Sequence, residues 1–155
     1  MNIYTKNLVL ITLASLFAGI GWSTLVERYQ RKRLFEILCA VLSFASIFAV
    51  FAYTVWGRET SARHILVFAA MENNDEFFRE MFMNALLYFP FGLAASPLLG
   101  GWSLLFAFSL SFAIETWQYF SGAGIAQGTD VIMNSLGALF GILLALPHHR
   151  IKRKK

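Results

Sequence analysis

The chain is organised by long runs in which apolar residues fill every helical face, separated by short polar segments. Five such runs cover residues 7–26, 34–56, 81–99, 102–120 and 131–147, the last being the shortest. A helix needs about 20 mostly apolar residues to cross about 30 Å of hydrocarbon, and the runs are close to that length. Inside lipid, only a helix or a closed barrel satisfies its own backbone amides. Barrel strands would show alternating segments of about ten residues, whereas these runs are apolar on all sides. The pattern predicts an all-α, polytopic transmembrane helical bundle of about five spans. With no internal repeat or linker, residues 1–155 read as a single transmembrane domain.

Composition agrees with a lipid environment. The chain is 57% hydrophobic and only 14% charged, with a mean hydropathy of +0.58, against about 25% charged residues in soluble domains. A soluble domain this small buries only part of its surface. The 16 phenylalanines and 4 tryptophans suit lipid contact and interfacial anchoring. Charge sets the orientation. Arg28, Arg31, Lys32 and Arg33, with Arg150, Lys152, Arg153, Lys154 and Lys155, hold nine of the 13 lysines and arginines. Basic residues mark cytoplasmic segments, and four spans separate the two clusters. Both then lie in the cytoplasm, with the N-terminus outside and the C-terminus cytoplasmic. That distribution argues against nucleic acid as a partner despite a pI near 9.5. Reading the first run as a cleaved signal peptide would instead leave the basic cluster at 28–33 outside.

The one cysteine, Cys39, sits in an apolar run, reads as a packing residue and allows no intrachain disulfide. No phosphate-binding loop, GxSxG or HExxH occurs, so neither a cofactor nor a metal site is expected. Residues 57–80 form the single long loop, on the outer side and net acidic. Within it, residues 64–71 (HILVFAAM) are too few to span. They are expected to lie in the interface as an amphipathic helix or to dip in and return.

Polar side chains within spans are costly and are functional candidates by default. The topology gathers them at one depth, on the extracytoplasmic side: Asn84 in the third span, Glu115 and Gln118 in the fourth, Asp130 and Asn134 in the fifth. Glu115 and Gln118 are three apart and share a helix face, with Ser111 one turn deeper. Asp130 and Asn134 continue into Gly137 and Gly141, giving the fifth span a small-and-polar face suited to close helix contact. Asp130 also suits a capping role at the start of that helix. Gln118 and Asn134 suit interhelical hydrogen bonding, and Glu115 requires a partner, a proton or water. Arg79 is the nearest basic candidate by depth, and Glu80 lies one turn before Asn84. Pro90 removes a backbone donor and is expected to kink the third span.

Three polar segments resemble the VanZ-like membrane family. Asn84-Ala-Leu-Leu-Tyr-Phe-Pro90-Phe-Gly92 is similar to its Asn, apolar run, Pro-Phe-Gly motif. Ser109-Leu-Ser-Phe-Ala-Ile-Glu115-Thr-Trp-Gln118 is similar to its Ser-rich helix with Glu-x-x-Gln. Gly128-Thr-Asp130-Val-Ile-Met-Asn134-Ser-Leu-Gly137, continuing to Gly141, is similar to its Asp-x-x-x-Asn-x-x-Gly segment. Phe78-Arg79-Glu80 ahead of the asparagine is also family-like, and the resemblance covers about residues 77–145. It implies a multi-pass protein of the bacterial cytoplasmic membrane with a role at the cell envelope. The family's namesake confers low-level resistance to teicoplanin, a lipid-tailed glycopeptide.

Two functions of different kind follow. In the first, Asn84, Glu115, Gln118, Asp130 and Asn134 form an outer-leaflet polar pocket that binds a lipid-linked or amphiphilic ligand. Arg79, Glu80, Pro90, Gly92, Ser111, Gly137 and Gly141 support it. In the second, a membrane enzyme acts on a lipid or cell-wall precursor, with Glu115 and Asp130 as general acid and base. A structural helper subunit of an envelope complex is the remaining reading. The lipid bilayer is a partner in all three, and the sequence sets no oligomeric state. The topology is tested by reporter fusions: alkaline phosphatase joined within residues 57–73 should be active, and joined after Lys155 inactive. The reverse pattern would overturn the orientation.

Overall fold

The structure, a computed structural model, describes residues 32–55, 65–68 and 74–152. The first expected span, residues 7–26, lies outside the described residues, as do Arg28, Arg31 and half of the segment 64–71. Four helices are described: α1 (Lys32–Thr54), α2 (Asn74–Leu99), α3 (Trp102–Ser121) and α4 (Gly128–Lys152). Two three-residue strands, β1 (Ile65–Val67) and β2 (Ile125–Gln127), complete the fold. Three helices are long and apolar enough to cross a membrane, over Phe35–Thr54, Phe77–Leu99 and Gly128–Ala145. The 20-residue α3 is of similar length and carries Glu115 and Gln118 in its second half.

The described boundaries modify the expected ones. α2 begins seven residues before the apolar run at 81, so the acidic end of the expected loop is helical. α2 then continues through both Pro90 and Pro97; the lost donor at Pro90 does not end the helix. The segment 64–71 was expected as an interfacial helix or a dip. Its residues Ile65–Val67 instead form a strand, paired in parallel with β2 in the register Ile65 to Ile125, Leu66 to Ala126 and Val67 to Gln127. The β-branched Ile65 and Val67 favour extended backbone. A chain in apolar surroundings must find partners for its amides, and the loop before α4 supplies them.

α2 and α4 make the most extensive helix contact, and glycine is the reason. A Cβ on Gly137 would overlap the backbone carbonyl of Ala85, one on Gly92 that of Ala138, and one on Gly141 that of Phe89. The helices therefore touch backbone to backbone, as small residues permit in lipid. The pairing advances from Ala85–Gly137 to Phe89–Gly141, so α2 and α4 run parallel. α1 and α3 run antiparallel to them, α1 through Cys39 beside Leu93 and Ala145. The main core draws on every helix: Val50, Leu87, Tyr88, Phe91, Ala95, Ala107, Ile114 and Ala138. Phe91 and Phe106 stack with ring centres 5.5 Å apart, joining α2 to α3.

Hydroxyls within the helices bond back to carbonyls four residues earlier, as from Ser43 to Cys39, Thr54 to Val50, Thr116 to Phe112 and Ser135 to Val131. They need no water there. The outer faces are apolar and exposed, with Phe44, Phe48, Trp102, Phe112 and Phe140 among the largest, as a lipid-facing surface requires. α1 begins and α4 ends at the same end of the bundle, so Lys32, Arg33, Arg150 and Lys152 belong to that end.

Because Gly137 has backbone against its α-carbon, Gly137→Ala should lower stability by about 1–3 kcal/mol. Gly101, with nothing within 4 Å of an added Cβ, supplies the control: Gly101→Ala should change little. Reversible unfolding in mixed micelles measures both, and equal stabilities would contradict the close contact.

Candidate functional site

The polar residues gather where α1 and α3 finish and α2 and α4 begin. α3 ends at Ser121 because Gly122 takes the left-handed conformation, φ 66°, which glycine adopts without a Cβ penalty. The Ala123 amide closes the helix on the Gln118 carbonyl at 3.2 Å. The chain turns there into β2 and directly into α4. Three side chains of α3 then reach three different neighbours. Glu115 Oε2 accepts the backbone N–H of Gln127 at 2.8 Å. Asn134 Nδ2 donates to Ser111 Oγ at 2.8 Å. Gln118 Nε2 donates to the Thr54 carbonyl at 3.4 Å. Glu115, Gln118, Asn134 and Ser111 are all buried, Glu115 being 9% exposed.

Asp130 is the third residue of α4 and complements the positive helix end from within the first turn. It does not precede the helix as a cap residue. Two α4 terminal groups are already engaged by protein: the Thr129 amide donates to the Phe68 carbonyl at 2.9 Å, and the Phe68 ring lies over Gly128. Asn84 is half-buried, one residue before the Ala85–Gly137 contact, and no hydrogen bond of its side chain occurs among the described residues. Arg79 and Glu80 are exposed on α2. Gly92, Gly137 and Gly141 support the arrangement through the α2–α4 contact, and Pro90 sits within that helix.

Beside the ties lies a cleft of about 410 Å³. Its walls are Phe108, Phe112, Glu115, Thr116 and Tyr119 of α3, and Gly128, Val131 and Ile132 of α4. Leu66 and Phe68 from the β1 segment and Ala126 and Gln127 of β2 complete it. Of the five expected ligand residues, Glu115 lines this cleft; Gln118 reaches toward α1 and Asn134 toward Ser111. Small-molecule sites typically measure about 300–1,000 Å³ and are mostly apolar with a few placed polar groups. This cleft has that form. Among the described residues, no group of three or more His, Cys, Asp and Glu could hold a metal ion.

The VanZ/LLP1 family model matches residues 2–151. The chain belongs to the VanZ family. No curated protein and no solved structure gave a match. The VanZ match takes in the first two apolar runs as well as the motif-bearing half at 77–145, so those runs are part of the family's pattern too.

Several residues of this VanZ-family site carry no sequence signal. Gln127 acts through its backbone amide, and Thr54 through its carbonyl, which any residue would supply. Tyr88 does carry one, a phenol in mid-span: it is fully buried, its hydroxyl lies beside Ser111 and within electrostatic reach of Glu115. Among the described residues, the Tyr88 hydroxyl and Asn134 Oδ1 find no hydrogen-bond partner, a cost that makes this layer sensitive to substitution. A double-mutant cycle of Ser111→Ala and Asn134→Ala should give a coupling of about 0.6–1.7 kcal/mol, the range for such bonds in membranes. Additive effects in an unfolding titration would mean that the bond contributes nothing.

Proposed function

We propose that this VanZ-family protein crosses the bacterial cytoplasmic membrane five times, N-terminus outside, and binds a lipid-linked or amphiphilic ligand at its extracytoplasmic end. One observation carries the reading: a largely apolar cleft with a buried carboxylate, Glu115, in its wall. The shared side of Lys32, Arg33, Arg150 and Lys152 supports the orientation. Phe108, Phe112, Leu66, Phe68 and Ile132 are exposed as well as cleft-lining. A ligand dissolved in the bilayer therefore enters sideways, with its apolar part among these side chains and its polar part toward Glu115 and Thr116. Teicoplanin, with a lipid tail on a polar body, has the right division of surfaces, and low-level protection against it is the inherited role we assign.

The three polar ties favour a second reading, a helper subunit whose polar residues lock helices together. In that reading the cleft is filled by lipid without selectivity. The acid–base enzyme is less favoured, because Asp130 does not line the cleft beside Glu115.

A diazirine-bearing amphiphile irradiated with the protein in nanodiscs should label α3 and α4 between residues 108 and 132. Ile132→Trp, which fills the cleft, should reduce that labelling severalfold. Uniform labelling of all lipid-facing helices in both proteins would sink the ligand site and leave the helper reading. Expressed in a teicoplanin-sensitive Gram-positive host, the chain should raise teicoplanin but not vancomycin tolerance, and Glu115→Gln at equal membrane levels should not. Unchanged teicoplanin susceptibility would remove the resistance role.

A further inference from the structure

We propose that the cleft at Glu115 is one end of a longer groove, and that its guest is an amphiphile whose single tail runs along α3 and α4 into a second cleft beside the α2–α3 turn. The inference rests on the reading of the first cleft as the ligand site and adds the length and path of the tail.

The second cleft measures about 340 Å³. Ser96 of α2, Gly100 and Gly101 of the turn, Leu104 of α3, and Leu139 and Leu143 of α4 are among its walls. Ser96 is buried, and its side-chain oxygen lies within the wall. The side chains a guest meets there are aliphatic, as an alkyl tail requires.

Helical spacing puts the two clefts on one stripe. On α3, Leu104, Phe108, Phe112 and Thr116 follow at intervals of four and share a helix face. Leu104 lines the second cleft and the other three line the first. On α4, Ile132 lines the first cleft, and Leu139 and Leu143, seven and eleven residues on, line the second. That spacing also keeps to one face. The two helices are neighbours, tied by Asn134 to Ser111. Leu104 and Phe108 are about 6 Å apart along the axis at 1.5 Å per residue, so one turn of α3 separates the clefts. Phe108, Ile132 and Leu143 are each roughly half exposed, and both clefts open sideways to lipid.

The turn marks the far end. Gly100 takes the left-handed conformation, φ 60°. Its amide donates to the Ser96 carbonyl at 2.8 Å, and its carbonyl accepts the Ser103 hydroxyl at 2.7 Å. The chain reverses there in two residues, and the groove stops.

Length then selects the guest. The 20 residues of α3 rise about 30 Å, the thickness of the hydrocarbon layer. The midpoint of the helix falls between Ser111 and Phe112, so Glu115 and Leu104 belong to opposite leaflets. From Glu115 to the turn the groove runs about 21 Å. The tails of an outer-leaflet phospholipid end near the midplane, about 15 Å deep, and would leave the second cleft unfilled. A single tail that crosses the midplane fills both.

Photolabelling of the full chain in phosphatidylcholine nanodiscs tests the proposal, with hexadecyl glucoside carrying a diazirine either beside the sugar or at the chain end. The sugar-side probe should label residues 108–132, and the chain-end probe residues 96–104 and 139–143. Excess unlabelled hexadecyl glucoside should remove both signals, and octyl glucoside at equal mole fraction should compete severalfold less. Leu143→Trp, at a half-exposed position, narrows the second cleft. It should cut chain-end labelling of residues 96–104 severalfold and leave sugar-side labelling in place; unchanged chain-end labelling would count against the path. Localised sugar-side labelling with chain-end label spread over all lipid-facing helices would overturn the groove and leave the first cleft, as would equal competition by the octyl chain. Chain-end label on residues 7–26 in place of 96–104 would mean that this segment, not the tail, occupies the second cleft. Saturable labelling by neither probe would remove the groove and the site together.

Discussion

The backbone-to-backbone contact of α2 and α4 is the constraint on which the other arrangements rest. Gly92, Gly137 and Gly141 let two parallel helices approach until carbonyls occupy the space where side chains would be. In lipid there is little hydrophobic force between helices, so dispersion at such close contacts carries much of the association. Once α2 and α4 are fixed in register, the segments entering them are brought to the same end. β1 precedes α2 and β2 precedes α4, and parallel helices place those two lead-in segments side by side. The parallel strand pair follows from the helix pair.

The strand pair in turn settles how a carboxylate is held at this depth. Glu115 is received by a backbone amide at the edge of β2, where the chain passes into α4. Among the described residues, the walls of the cleft hold no lysine or arginine. One side of Glu115 thus belongs to the fold while the residue also lines a cavity, and the polar ties and the cleft share a single helix, α3.

The sequence pattern conveyed the helices well, because unbroken apolar runs in lipid have few alternatives. Residues 34–56, 102–120 and 131–147 correspond closely to α1, α3 and α4. The early start of α2 was hidden because residues 74–80 are polar and charged, and hydropathy reports burial in lipid, not helicity. The strand at 65–67 was hidden because its partner lies about 60 residues on, and local composition cannot carry a pairing. Of the candidate site, the inward placement of Glu115, Gln118 and Asn134 was legible, because ionisable and amide side chains within apolar runs seldom face lipid; their depths differ, since Asn134 sits level with Ser111, two turns from Gln118. Their separate destinations were not: a helical face has neighbours on both sides, and only packing assigns Gln118 to α1 and Asn134 to Ser111. Gln127 and Thr54 act through main-chain atoms, which side-chain identity does not mark.

The order in which the partners of α3 are synthesised bears on insertion. Gln118 bonds a carbonyl made 64 residues earlier, whereas Glu115 and Ser111 bond groups that follow by 12 and 23 residues. When α3 leaves the ribosome, one of its three ties can form at once and two cannot. α3 is therefore held in place only once α4 has been made, and a chain ending before residue 127 lacks both of those ties.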